Sequence, residues 1–212
     1  MSNARRANSK PEIEAIIFDI GRVIIDLDPS RAIAAIGAAS TLAPDKLWLA
    51  VQEDPLWPGW QEGRVTPQQW YENLSARFHT SISFDEFCDA WNSVMSTKLI
   101  LPERLFKQLS KKCRLVLLSN TDPIHVACME SKFNFIRYFP KRIYSCEVGA
   151  SKPSVKIFRA AIKAAAAPPN RILFIDDIRQ YVLAARRVGL NAVQLCSRAQ
   201  LEAALRQRSL LP

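Results

Sequence analysis

Short apolar runs, each closed by an acid or a small polar residue, recur along the chain. Glu14-Ala-Ile-Ile-Phe18 is rich in strand formers and runs into Asp19 and Gly21, which is how a buried parallel strand meets its loop. Arg114-Leu-Val-Leu-Leu118 stops at Ser119-Asn120, Arg171-Ile-Leu-Phe-Ile175 stops at Asp176-Asp177, and Ala192-Val-Gln-Leu195 ends near Ser197. Between them the spacing predicts helices over Pro102 to Ser110, over Ser154 to Ala166 with Val155, Phe158 and Ile162 on one face, and over Arg179 to Val188, stopped by Gly189. Strands alternating with helices predict the α/β class, a doubly wound, Rossmann-like parallel sheet. Such a sheet binds ligands beyond the carboxyl ends of its strands, where Asp19, Ser119 and Asp177 would all emerge.

From about Pro29 to Lys98 the pattern turns helical, with breaks at Pro44, Pro55, Pro58, Gly63 and Pro67 and no convincing strand. The expected organisation is a core built from residues 11–28 and 99–212, an inserted helical cap over 29–98, and a disordered tail over 1–10. No internal repeat is visible, and Ala160 to Ala167 reads as the end of an amphipathic helix closed by Pro168-Pro169.

Composition narrows the class. With 212 residues, 49% hydrophobic and 23% charged, the chain can bury one substantial core and a smaller module. Its apolar runs are strand-sized, which predicts no membrane span. Met1 to Lys10 lacks the apolar stretch of a secretory signal, so the expected location is cytoplasmic. Five scattered cysteines, Cys88, Cys113, Cys128, Cys146 and Cys196, lack any CxxC or Cys/His ligand spacing, which suits reduced thiols rather than structural zinc. The formal charge of +9 would attract polyanions, yet the basic residues are spread out, Arg5, Arg6 and Lys111 among them, without an aromatic-interleaved stripe. Nucleic acid is therefore not the expected partner.

Four segments, Phe18-Asp-Ile-Gly-Arg-Val23, Leu118-Ser-Asn120, Lys152-Pro153 and Phe174-Ile-Asp-Asp177, resemble in order the four motifs of the haloacid dehalogenase-like superfamily. The Phe-Asp-x-Gly form of the first, followed by Val23-Ile-Ile-Asp-Leu-Asp28, is similar to its glucose-1-phosphate phosphatase-like branch. The resemblance implies a Mg²⁺-dependent phosphatase that hydrolyses a small phosphorylated metabolite, such as a phosphosugar, through an aspartyl-phosphate. It assigns the nucleophile to Asp19 and gives Lys152 the task of neutralising phosphate and nucleophile. Ile20, Gly21, Ser119, Asn120 and Lys152 would surround the phosphate. Asp19, the Gly21 backbone carbonyl and Asp177 would ligate Mg²⁺, with Asp176 acting through water.

Residue by residue, plainer readings stand beside these. Asp176-Asp177 could cap the following helix, Ser119 could be a turn residue, and Lys152 a solvated surface lysine. Asp26 and Asp28 suit the loop and the cap of a helix opened by Pro29. His79 and His125 are isolated and lack a second ligand at helical spacing. The tryptophans and other aromatics between Trp57 and Phe78 suit a small core of the cap, although Trp57 and Trp60 could face the pocket.

Two departures from the family pattern bear on activity. Many phosphatases of the superfamily carry a second Asp two residues after the nucleophile, and Gly21 stands there with no proton to give or take. Arg22 occupies a position usually held by Gly or Asn and could bind substrate or obstruct it, while Ile178 and Tyr181 are more apolar than the pattern. Two further readings follow: a metal-independent haloacid dehalogenase, and a non-catalytic module that binds a phospholigand or a protein.

Overall fold

The computed structural model describes residues 12–38, 40 and 44–212; the tail expected over residues 1–10 lies outside these. Among the described residues the first element is β1 (Ala15–Phe18), after which the chain leaves the sheet through β2 (Ile25–Leu27). Five helices follow: α1 (Pro29–Gly37), α2 (Pro44–Gln52), α3 (Trp57–Gln61), α4 (Pro67–Phe78) and α5 (Phe84–Asn92). The chain returns along β3 (Met95–Leu99) and continues through α6 (Glu103–Leu109), β4 (Arg114–Ser119), α7 (Pro123–Lys132), β5 (Lys141–Tyr144) and α8 (Ser145–Val148). It ends with α9 (Val155–Ala165), β6 (Ile172–Asp176), α10 (Arg179–Arg187), β7 (Asn191–Gln194) and α11 (Arg198–Arg206).

Five strands form one sheet in the order β5-β4-β1-β6-β7, every pairing parallel, with β1 at its centre. Burial on both faces explains why the strands read as continuous apolar runs. Ile16, Phe18, Leu115, Leu117, Leu173 and Ile175 enter the core on one face. Ala15, Ile17, Val116, Leu118, Ile172 and Phe174 enter the one on the other. The helix at Val155–Ala165 presents Ile157, Phe158, Ala161 and Ala165 to the sheet. Val155 is exposed and Ile162 only partly buried, so the apolar face is rotated from the one expected.

The cap has its own core around Trp60, Trp70, Leu74, Phe78, Phe87 and Trp91. Two of its helices begin with capping boxes, Thr66 with Gln69 and Ser83 with Glu86. Asp28 caps α1 through the Ser30 N–H, ahead of Pro29, as the sequence predicted. The expectation of no strand between Pro29 and Lys98 is corrected. β2 and β3 pair antiparallel, joining Ile25 to Leu99 and Leu27 to Met95, and form the two-stranded stem that carries the cap. Ser96, Thr97 and Lys98 are three polar residues in succession, which left this strand without a periodic signal.

The cap touches the core at its α3 corner. The Ser145 hydroxyl donates to the Gln61 carbonyl at 2.6 Å, and the Ser151 N–H donates to Glu62 at 3.2 Å. Gly63 lies so close to this corner that a Cβ there would fall 2.0 Å from the Cys146 carbonyl oxygen, and its φ of +70° also favours glycine. All five cysteines are free thiols. No helix of the described residues is long and apolar enough to cross a membrane.

Candidate active site

Asp19 follows β1 directly, and its N–H is held by the Ile175 carbonyl of β6 at 2.9 Å. Asp176 is the last residue of β6, and Asp177 follows it. Because the two strands are adjacent and parallel, with Phe18 opposite Ile175, their carboxyl ends deliver the acids side by side. Each of Asp19, Asp176 and Asp177 offers a carboxylate oxygen within 4.8 Å of the other two. Ser119 ends β4 on the other side of β1, and Asn120 follows it.

Lys152 is 3% exposed, which removes the reading of a solvated surface lysine. Its ammonium donates to Asp19 Oδ1 at 2.8 Å and to Asp176 Oδ2 at 2.6 Å. Two of its three donors are thereby used, leaving one free. The loop bearing it is fixed by Asn120, whose Oδ1 accepts the Lys152 N–H at 2.7 Å and whose Nδ2 donates to the Lys152 carbonyl at 3.0 Å. The Asn120 side chain is thus spent on positioning Lys152 and, through a longer Nδ2 contact of 3.4 Å to its hydroxyl, Tyr181.

Two residues that sequence reasoning had not placed in the site complete the seat of the ammonium. It stands 5.0 Å from the Tyr181 ring centroid and 5.7 Å from that of Phe174, so aromatic faces supplement the carboxylates. Tyr181 looked out of pattern in the sequence because its partner, Lys152, lies far away along the chain.

The acids are not helix caps. The N-cap of α10 is Ile178, without a side-chain cap bond, and Asp176 is fully buried with Oδ1 accepting the Ile178 N–H at 2.8 Å. Burial, opposed by Lys152 and reinforced by Asp176, pushes the Asp19 carboxyl up to about 7. Burial and then Asp176 also raise Asp177, with Lys152 and Arg22 opposing. Burial disfavours the Lys152 ammonium, but Asp19 and Asp176 outweigh it and raise its pKa. Three acids against one lysine leave local negative charge, and clustered carboxylate oxygens are the ligands a hard cation such as Mg²⁺ takes. The donor set therefore fits this metal.

The first loop is tight: Val23, Ile24 and Ile25 all donate to the Ile20 carbonyl, and the Arg22 N–H donates to Ile25. Arg22 adopts a φ of +56°, a left-handed conformation that costs an arginine roughly 1–2 kcal/mol. Its side chain is exposed and borders the cavity. That cavity, about 440 Å³, lies between sheet and cap and is bordered by Asp19, Ile20, Gly21, Ser119, Lys152 and Asp177. On the cap side stand Trp48, Trp57 and Trp91, whereas Trp60 is buried and stacks on Trp70 at 5.5 Å. Of the two tryptophans that could face the pocket, only Trp57 does.

A doubly wound parallel sheet with an acid cluster and a buried lysine at its strand ends, roofed by an inserted cap, defines the class. The family model of the haloacid dehalogenase-like hydrolases matches residues 13–189, and the chain belongs to that family. It is 24% identical over 188 residues to the D-ribitol-5-phosphate phosphatase of Bacteroides thetaiotaomicron, covering 86% of this chain and 91% of that protein. A HAD family enzyme of the same organism, solved in complex with magnesium and inorganic phosphate, superposes with a TM-score of 0.74. That structure is 25% identical, over 86% of this chain and 93% of the other. The L-2-haloacid dehalogenase of Xanthobacter autotrophicus shares the fold at a TM-score of 0.62 and 16% identity, covering 94% of this chain and 85% of its own.

Proposed function

We propose that the protein is a Mg²⁺-dependent phosphatase that hydrolyses a small phosphate monoester, a sugar or polyol phosphate, through an aspartyl-phosphate on Asp19. The observation that carries this reading is the convergence of Asp19, Asp176, Asp177 and the Lys152 ammonium beside a small cavity that Asp19, Asp177 and Lys152 border. The magnesium and phosphate bound by one similar structure, and the polyol phosphate named for a relative, support it.

Asp19, the Gly21 carbonyl and Asp177 would hold Mg²⁺, with Asp176 one water away. When bound, the ion offsets charge on phosphoryl group and nucleophile. Lys152 adds its free N–H to a phosphate oxygen, and Ser119 with the backbone of Ile20, Gly21 and Asn120 completes the cradle. A carboxylate oxygen of Asp19 attacks phosphorus, the ester P–O bond breaks, and the alcohol leaves with a proton taken from solvent or cap. Water then attacks the phosphorus of the aspartyl-phosphate, the acyl O–P bond breaks, inorganic phosphate leaves, the water gives up a proton to solvent, and the Asp19 carboxylate is restored. The acid cluster speaks against the dehalogenase reading, since metal-free carboxylates would repel an anionic haloacid.

A panel of phosphosugars, polyol phosphates and nucleotides assayed in Mg²⁺ and in EDTA tests the proposal. At least one ester turns over only with Mg²⁺. At about 100 times its Kd the ion also raises the thermal midpoint by roughly 5–10 °C, from about 2.7 kcal/mol of linkage. No Mg²⁺-dependent turnover, together with an unmoved midpoint, sinks it.

Gly21 supplies no acid–base group, and the structure shows what restoring one requires. A Cβ at Gly21 would fall 2.7 Å from Leu27 Cδ1, the movable end of a partly buried side chain. Gly21→Asp is therefore best tested together with Leu27→Ala. The double variant should exceed Leu27→Ala alone in kcat by at least about tenfold, within the range such groups contribute. An equal or lower kcat means that another group already moves the proton.

A further inference from the structure

His125, one of only two histidines in the chain, lies on α7 and borders the cavity beside Trp91 and Asp122. Its Nδ1 is 2.7 Å from Asp122 Oδ2, and its Nε2 is 3.0 Å from the backbone carbonyl of Trp91, on the cap helix α5. A carbonyl oxygen only accepts, so Nε2 carries a hydrogen. Asp122 is buried and is already an acceptor twice over: Oδ2 takes the Trp91 indole N–H at 3.1 Å and Oδ1 takes the His125 backbone N–H at 3.0 Å. An ionised Asp122 requires that Nδ1 donate as well. The imidazole ring also stacks on the Trp91 indole, centroids 5.7 Å apart and planes 13° from parallel.

We propose that Asp122 and a doubly protonated His125 form a charged clamp that seats cap residue Trp91 over the catalytic crevice and so sets substrate affinity. Both ring N–H groups are engaged, which removes His125 from the search for the missing proton donor and makes it a positioning residue. The clamp secures the α5 side of the cap, as the Gln61–Gly63 corner secures the α3 side. Ile124, the neighbour of His125, belongs to the apolar core of the cap and ties α7 to it further.

The charges agree with the geometry. Burial disfavours the His125 cation, but Asp122 and the two hydrogen bonds outweigh it and raise its pKa above the ordinary 6.5. Burial likewise opposes ionisation of Asp122, and His125 with the donated hydrogen bonds outweighs it and lowers its pKa from 3.8. Asp122 also acts on the thiols of Cys88 on α5 and Cys146 on α8, and Asp89 on those of Cys88 and Cys128. Asp122 is the charged group that acts on His125. A raised histidine pKa means that the clamp is whole below pH 6.5 and is lost as pH rises through the folded value. A lowered Asp122 pKa means that it is whole above pH 3.8 and is lost as pH falls through the folded value.

Three measurements test the clamp, of which the first two are independent of the phosphatase reading on which its effect on substrate rests. In the full chain carrying His79→Gln, a single histidine remains, and its ring ¹⁵N shifts should report two protonated nitrogens predominating at about pH 6.5, where a free imidazole is half neutral. Amide exchange over residues 84–92 should quicken in His125→Gln while the central strands stay protected. With p-nitrophenyl phosphate, KM of His125→Gln relative to wild type at the same pH should be about tenfold higher below the ring's titration and fall toward one above it, while the ratio of their kcat values, in which the titration of Asp19 cancels, stays within about threefold. A neutral ring at about pH 6.5, unchanged exchange over 84–92, or a KM ratio that stays level across the ring's titration overturns the proposal. Absence of turnover in the wild type rejects the phosphatase reading instead, and the ring shifts and amide exchange still decide the clamp.

Discussion

Replacing Lys152 by methionine is expected to destabilise the protein by about 3–5 kcal/mol at pH 8 and to cut turnover by roughly 10²–10³-fold. The ammonium sits between two buried carboxylates, 2.8 Å from Asp19 and 2.6 Å from Asp176, and methionine fills its volume while leaving both acids uncompensated. Breaking such a pair from one side is costly because a buried charge remains. The catalytic loss arises separately, from a donor missing at the transferring phosphoryl group. The two effects separate with pH. Asp19 already titrates near 7 beside the lysine, and without it the carboxyl rises further. An acid with a raised folded pKa costs stability as pH climbs above its unfolded value of 3.8, so the variant suffers less at about pH 5.5 than at about pH 8. Urea unfolding at the two pH values checks the sign. A loss below about 1 kcal/mol at pH 8, with turnover within tenfold of wild type, is incompatible with a central role for this ammonium.

The sheet was legible because its strands are buried on both faces, which stamps continuous apolar runs on β1, β4 and β6. The acids were legible for the same reason: a polar residue just after such a run can only emerge at the sheet's carboxyl edge. β5, with Lys141 and Arg142 in an edge strand, and the stem strands β2 and β3 carry no such stamp. Their strand character comes from a neighbour rather than from their own period. The helix at Val155–Ala165 was legible as an element, but its alanine content blurred which side is buried. The supporting shell was the least readable part. Asn120 holds the Lys152 loop from 32 positions away, and Trp91 meets Asp122 across 31, separations that leave no local pattern. His125 looked isolated in sequence because its second partner is a backbone carbonyl, which every residue has.

Asp19→Asn should abolish turnover, by at least about 10⁴-fold on the scale of nucleophile removal, while leaving the metal-free protein more stable than wild type at pH 8. The amide cannot form the acyl-phosphate, so catalysis through Asp19 ends. Stability moves the other way because Asp19, Asp176 and Asp177 crowd their oxygens within 4.8 Å around one lysine, and burial with neighbouring charge holds Asp19 up near 7. Above that pH the folded wild type must carry a charge its surroundings resist, and the neutral amide removes it for a gain on the order of 2 kcal/mol. Lys152 is not orphaned by the change, since Asp176 stays 2.6 Å away and the amide oxygen can still accept from its ammonium. Mg²⁺ should then stabilise the variant less than the wild type, because one anionic ligand is gone. Chemical unfolding in EDTA and in Mg²⁺ gives both differences from one pair of proteins. An inactive variant that is less stable than wild type in EDTA at pH 8 would mean that Asp19 holds the fold rather than strains it. A variant that keeps even a hundredth of the wild-type rate would place the nucleophile elsewhere.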